Sequence, residues 1–388
     1  MARAAAKFAD EIEKPPAELF GYQFALLPKT DFCLNGFVAR PFGTRSLLHC
    51  ERLAVASLLD ANQKEIGVCL GIAIDAEGTR VNEGYRLKAL LGGAPDFWTV
   101  VEDFAVGLAG RWLLIIRDGS DDTRIFGDAS GMYNCVYDPV AGGVGSTLLL
   151  SLLRDIEENP AVDHTRTATE NARLPFGHTR DIHAKRLAVN HYLRLDDWSE
   201  TRFWPKAGTI CEAVAGTESD VIRSLCDRLA AVFTGIVTSV PSSVGITGGN
   251  DSRNMVAAGK GSLGHVRQFF TWTHSYNSRL DYRSASLVMN TLGYDLERYP
   301  TNDEPFTADE LAARTKAHQI STGFAVGPHQ FFNKNYSAQP DPGGVVLTGN
   351  VMEALRAAHW RNPRPPAGNF FKLNRGRHHV RKRPDAGK

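Results

Sequence analysis

The stretch that most constrains this chain is Val244-Gly245-Ile246-Thr247-Gly248-Gly249-Asn250-Asp251-Ser252-Arg253. An apolar, β-branched run ends at Ile246 in Thr-Gly-Gly, and Arg253 to Ala258 then reads as the opening of a helix. A strand that turns through glycines into a helix builds an anion site. Glycine lets the backbone come close to a ligand, and the first helical N–H groups point at it. Asp251 opposes a bare phosphate, so its natural partner there is a bridging Mg²⁺. A P-loop is excluded, because no Gly-Lys-Ser/Thr follows these glycines; Gly259-Lys260-Gly261-Ser262 has neither the spacing nor the ending. The rival reading is a glycine-rich turn that binds nothing.

The alternation continues on both sides of this turn. Ser219 to Thr238 is an amphipathic stretch, and Val266 to Trp272 reads as a second strand. Leu280 to Leu292 reads as a helix with Ala285, Leu287, Val288 and Leu292 on one face. Tyr294 to Tyr299 follows as a third strand and Ala308 to Ile320 as another helix. Strands alternating with helices predict an α/β domain with a doubly wound parallel sheet. In such sheets ligands sit beyond the carboxyl ends of the strands, where Thr247 to Ser252 fall.

Residues 1–200 are patterned differently. Phe20 to Leu27 and Phe32 to Val38 read as short strands, and Leu47 to Leu59 as helix or strand. Glu65 to Ile74 is a nearly continuous apolar strand buried on both faces. Val81 to Leu91 reads as a short helix ending at Gly92-Gly93. Gly110 to Gly119, Thr123 to Asp128 and Gly131 to Tyr137 are strand-like runs split by Asp-Gly and Ala-Ser-Gly turns, consistent with an antiparallel meander. Val144 to Leu152 starts as a strand and gives way to a helix. The expected organisation is an α+β N-terminal domain of antiparallel sheets over 1–200, an α/β domain over 215–362, and a basic tail at 363–388.

Composition narrows the function classes. At 43% hydrophobic and 22% charged residues the chain matches ordinary soluble globular proteins. No apolar run approaches the ~20 residues of a membrane span, and Met1 to Lys14 lacks the apolar segment of a signal peptide. The six cysteines are scattered without a CxxC pair, which predicts reduced thiols, a cytoplasmic protein and no structural zinc. Between Arg361 and Lys388 nine bases face the single acid Asp385, so the rest of the chain is net acidic. Such a body argues against a nucleic-acid partner. The tail has no apolar periodicity and reads as disordered; its alternative is a basic arm for acidic partners.

Val244 to Arg253 resembles the Ser-Gly-Gly-x-Asp-Ser pyrophosphate loop of the ATP pyrophosphatases, with Thr247 in place of the first Ser. Within that group it most resembles the asparagine synthetase family. The resemblance is patchy but collinear from about residue 105 to residue 360. Gly110-Arg111-Trp112, Arg124 to Gly131 and Tyr133 to Tyr137 look like the family's Ntn glutaminase-type domain. Leu174 to Thr179 with Leu187 to Leu193 is similar to its linker. Leu347-Thr348-Gly349-Asn350-Val351-Met352-Glu353 resembles its second signature, with a plain strand-to-helix turn as the rival reading.

The resemblance implies that ATP and a carboxylate form an acyl-adenylate, pyrophosphate leaves, and an amine attacks to give an amide. The partners it implies are small-molecule or peptide carboxylate and amine substrates, with an oligomer possible. By the same resemblance Thr247, Gly248, Gly249 and Ser252 cradle pyrophosphate, and Thr348 and Gly349 contact the nucleotide. Asp251 and Glu353 hold Mg²⁺. From its own position, one helical turn after Met352, Arg356 is placed to pair with phosphate. Asp281 faces the adenylate cleft, or else is an N-cap or first-turn acid favoured by the helix dipole. His274 and His329 receive no role.

Two departures bear on activity. An active glutaminase of this family starts at a Cys whose own α-amine serves as its base. Here residue 2 is Ala, and Cys69 carries an amide in place of that amine and reads as a buried core thiol. Glutamine is therefore not the expected amine donor through this chain. In the second signature Val351 replaces a glycine and Ala354 an acid, and the family's helices beyond residue 362 are lacking, so the chain reads as truncated. These losses leave open a catalytically inactive nucleotide-binding remnant or regulator.

Overall fold

The computed structural model describes residues 3–11, 13–29, 33–165, 174, 177–206, 216–273, 275–300, 306–323 and 344–349. These form three sheets. The first runs β11 (Lys185–Arg186), β9 (Val136–Asp138), β10 (Gly143–Gly145), β1 (Phe24–Pro28), β3 (Arg45–Cys50) and β2 (Phe37–Phe42), in that spatial order. The second runs β13 (Glu200–Arg202), β12 (His191–Arg194), β8 (Thr123–Gly127), β7 (Ala109–Arg117), β5 (Glu65–Ile74), β4 (Val55–Leu59) and β6 (Tyr85–Arg86). Neighbours are antiparallel except β4 and β6, which run parallel.

The two sheets pack face to face. Leu26, Leu47 and Val144 of the first meet Val68, Leu70, Leu113 and Ile125 of the second in one buried cluster. Strand β5 is apolar along its length because both of its faces are covered: Val68 and Leu70 face the other sheet, and Cys69 and Ala73 face the Phe97–Gly107 helix. On the far side, Ala25, Leu27 and Leu48 pack under the Arg3–Glu11 helix and Ile320 of the Ala308–Thr322 helix. The N-terminal half is thus a helix–sheet–sheet–helix stack.

The third sheet is parallel throughout, ordered β16 (Glu297–Pro300), β15 (Gln268–Thr273), β14 (Ser242–Gly245), β17 (Val345–Leu347). From β14 the chain steps outward through β15 to β16, then returns to the other side of β14. The strand order therefore reverses at the β14–β17 pair, the place where open α/β sheets form a crevice. The Glu218–Ser239, Asn250–Ala258 and Tyr276–Leu292 helices supply Phe233, Val237, Val256, Ala285 and Met289 to its core. The two halves touch through the Glu218–Ser239 helix, where Arg80 Nη1 donates to Ser239 O at 3.0 Å and Arg228 Nη2 to Gly107 O at 2.8 Å. Among the described residues no helix is long and apolar enough to cross a membrane.

Several elements differ from the sequence expectation. Val81 to Leu91 is not a helix. Glu83 accepts hydrogen bonds from the Ser57 N–H and hydroxyl, Gly84 sits at φ +73°, and Tyr85–Arg86 joins the edge of β4. Gly131 to Cys135 is irregular rather than strand, because Asp128 gathers the N–H groups of Ser130, Met132 and Tyr133. Leu47 to Leu59, open between helix and strand, falls on the strand side, in β3 and β4. Leu287 is 72% exposed, since Ala285 and Met289, four residues apart, define the buried face of that helix.

Candidate functional site

Strand β14 carries Ser242, Ser243 and Val244 into the core. The Ile246 N–H still bonds Phe270 O at 2.9 Å, and the chain leaves the sheet at Thr247. The helix that follows starts at Asn250 with Gly249 as its N-cap, which brings no capping side chain. The Glu218–Ser239, Tyr276–Leu292 and Ala308–Thr322 helices carry complete capping boxes, from Thr217 with Asp220, Ser275 with Ser278, and Thr307 with Glu310. First-turn N–H groups have no intrahelical acceptor. Among these four described helices, only this one starts with no side chain to receive them.

Close approach, rather than left-handed backbone, explains the glycines of the site. A Cβ at Gly248 would lie 2.9 Å from Asp281 Oδ1 and 3.1 Å from Ser284 Cβ. At Gly349 it would lie 2.4 Å from Ser252 N and 2.7 Å from Asp251 C. The segment leaving β17 therefore presses its backbone against the first turn of the Asn250–Ala258 helix. Both glycine-bearing signatures meet at the carboxyl edge of the sheet, one on each side of the reversal in strand order.

The loop is braced from within. The Thr247 N–H donates to Ser252 Oγ at 3.0 Å, the two hydroxyls lie 3.2 Å apart, and the Gly249 N–H donates to Thr247 Oγ1 at 3.1 Å. Ser252 is 5% exposed, so its hydroxyl shapes the turn, whereas Thr247 and Gly249 are exposed. The Gly248 N–H donates to Asp281 Oδ1 at 3.1 Å. Asp281 lies in the second turn of a helix capped by Ser275, so the N-cap or first-turn reading of this acid falls away. Its carboxylate is on the loop.

Asp251 is half-buried in the first helical turn, and Thr348 is exposed beside the loop. Glu353, Arg356, His274 and His329 lie outside the described residues. Among the described residues no cluster of three or more His, Cys, Asp or Glu side chains is placed to hold a metal ion. Sequence reasoning missed Arg253, whose guanidinium folds back on the loop: Nε donates to Gly249 O at 3.2 Å and Nη2 to Asn250 Oδ1. Its spacing of four from Gly249 on one helix face was the available signal. The assembly offers an uncapped helix start, a cation and two carboxylates around one glycine turn.

The thiol of the N-terminal half weighed as a nucleophile is packed away. Cys69 is 1% exposed in mid-strand, opposite Ala56 and Leu114, and burial pushes its thiol up to about 12. A thiol held in that form is not a nucleophile at neutral pH. Comparison of the chain with models of known protein families found no match, and comparison with curated proteins found none either.

Proposed function

We propose that the chain is an asparagine synthetase-like ligase that forms an amide through an acyl-adenylate, with ATP seated on the Thr247–Ser252 turn. The observation that carries this reading is the convergence of Gly349 on the Asp251–Ser252 backbone at the switch point of a parallel sheet. The residues suit the ligand. The glycine N-cap leaves helical N–H groups for a phosphate oxygen, and Gly349 brings a second backbone alongside. Asp251, with Glu353, would hold Mg²⁺, which neutralises charge as pyrophosphate leaves. Gly248, Gly249 and Arg253 orient the polyphosphate, and Thr348 and Gly349 take the nucleotide. Preorganised donors of this kind act by charge stabilisation, so adenylation needs no dedicated base.

In this reading the N-terminal half is Ntn glutaminase-like, supported by its helix–sheet–sheet–helix layering, and serves as structure, since Cys69 is buried. In this reading the sheet is doubly wound, as right-handed crossovers on the two sides of β14 would make it. The amine is ammonia or a second substrate, and the site of action is the cytoplasm. A second reading, a nucleotide-binding protein without ligase chemistry, is favoured by Asp281, which already occupies the Gly248 N–H. Pyrophosphate release from ATP with panels of carboxylates and amines separates the two. Release that depends on the carboxylate supports the ligase; ATP binding without release under every pairing supports the second reading.

A further inference from the structure

We propose a second ligand site, for a small organic carboxylate with an apolar body, at the junction between the six-stranded sheet and the Ala308–Thr322 helix. A cavity of about 460 Å³ opens there, inside the roughly 300–1,000 Å³ range of small-molecule sites. Phe8, Leu149 and Ile320 give it an apolar wall. Arg180, Arg186 and Lys316 reach the same space, while Glu158 is the one acid among its described lining residues. Apolar side chains and cations lining one cavity match a hydrocarbon or aryl body that ends in an anion.

Arg186 anchors the argument. It extends from β11, the strand paired with β9, and is half-buried, and burial lowers its pKa. A desolvated guanidinium gains most from an anion that shares its enclosure, and its planar fork matches a carboxylate. The cavity is also separate from the nucleotide turn. None of its described lining residues comes from residues 247–252 or 345–349. Its walls come from both halves of the chain, whose helix is already tied down by Gln23 Nε2 donating to Ser321 O at 2.7 Å. Occupancy would therefore strengthen the contact between the halves, and this inference stands whether or not the turn binds ATP.

The test titrates 4-phenylbutyrate into the full chain by calorimetry, with 4-phenylbutanol as the uncharged probe. The expected result is saturable binding of the carboxylate and binding of the alcohol weaker by about tenfold or more, the worth of one charge-assisted hydrogen bond. Arg186→Gln and, as a surface change that leaves the fold alone, Lys316→Glu each weaken the carboxylate, whereas Asp251→Ala does not. Four outcomes would overturn the proposal. They are no binding to the folded wild type, equal affinity for the alcohol, indifference to both cation substitutions, and loss of binding in Asp251→Ala.

Discussion

Replacing Gly349 by Ala puts the central contact of the site under strain in a way that can be worked through. The new Cβ would stand 2.4 Å from Ser252 N and 2.7 Å from Asp251 C. Both are backbone atoms, so no side chain can swing aside. Ordinary contact begins at 3.4 Å, so the two segments must part by about 1 Å, an overpacking that costs about 1–3 kcal/mol. Among the described residues β17 lies at the edge of its sheet, which places the stability cost near the lower end. Ligand binding suffers more, because one charge-assisted bond of about 1.5–3 kcal/mol loses its geometry. We expect ATP·Mg²⁺ affinity to fall by about 10–100-fold in calorimetry, with a modest drop in melting temperature. Gly261→Ala, where an added Cβ meets nothing within 4 Å, is the control and leaves both unchanged. Wild-type affinity in Gly349→Ala would refute the convergence as the seat of the nucleotide.

Other substitutions probe the surroundings. Asp281→Ala frees the Gly248 N–H and removes a negative charge, so metal-free pyrophosphate binds about tenfold more tightly by calorimetry; unchanged affinity would take that N–H out of the anion seat. Arg154 bridges the buried Asp138 and Asp181. Burial works to raise the Asp181 carboxyl, but Arg154 and the N–H groups of Glu157, Ala184 and His183 outweigh it and hold the group well below the usual range. An acid shifted down in the folded state contributes stability above its ordinary pKa of about 3.9 and loses it as pH falls through the folded value. Wild-type stability should thus decline below about pH 4. Arg154→Met should cost roughly 3–5 kcal/mol at pH 7, a deficit that shrinks on acidification in urea titrations; a deficit independent of pH contradicts the assignment. Native maleimide labelling should reach exposed Cys226 and spare Cys69 and Cys135, both buried; fast modification of Cys69 would reopen its reading as a nucleophile.

Local signals in the sequence carried a good part of this architecture. The Thr-Gly-Gly turn was legible because glycine and β-branched residues punctuate the backbone over a few positions. β5 was legible because an apolar run covered on both faces needs no partner to be recognised. Contacts set by the tertiary fold were not. The bond from Gly248 to Asp281 spans 33 residues, and the reversal of strand order at β14 depends on where β17 pairs. Val81, Leu87 and Leu90 are buried, as a helix reading of their stretch requires. Yet Gly84 and the pull of Ser57 on Glu83 make a turn there instead. Leu287 was placed on the buried face because it is apolar, but helix rotation is fixed by Ala285 and Met289. The cavity beside Arg186 draws on segments from Phe8 to Gly323 and has no local signature.

The measurement that bears most directly on the account is calorimetry of ATP with Mg²⁺ on the wild type and on Asp251→Ala. The account predicts saturable, Mg²⁺-dependent binding to the wild type and its loss in the folded variant, because Asp251, in the first turn of the helix whose N–H groups receive the phosphates, would hold the Mg²⁺. Equal binding by both proteins, or none by well-folded wild type, would contradict it.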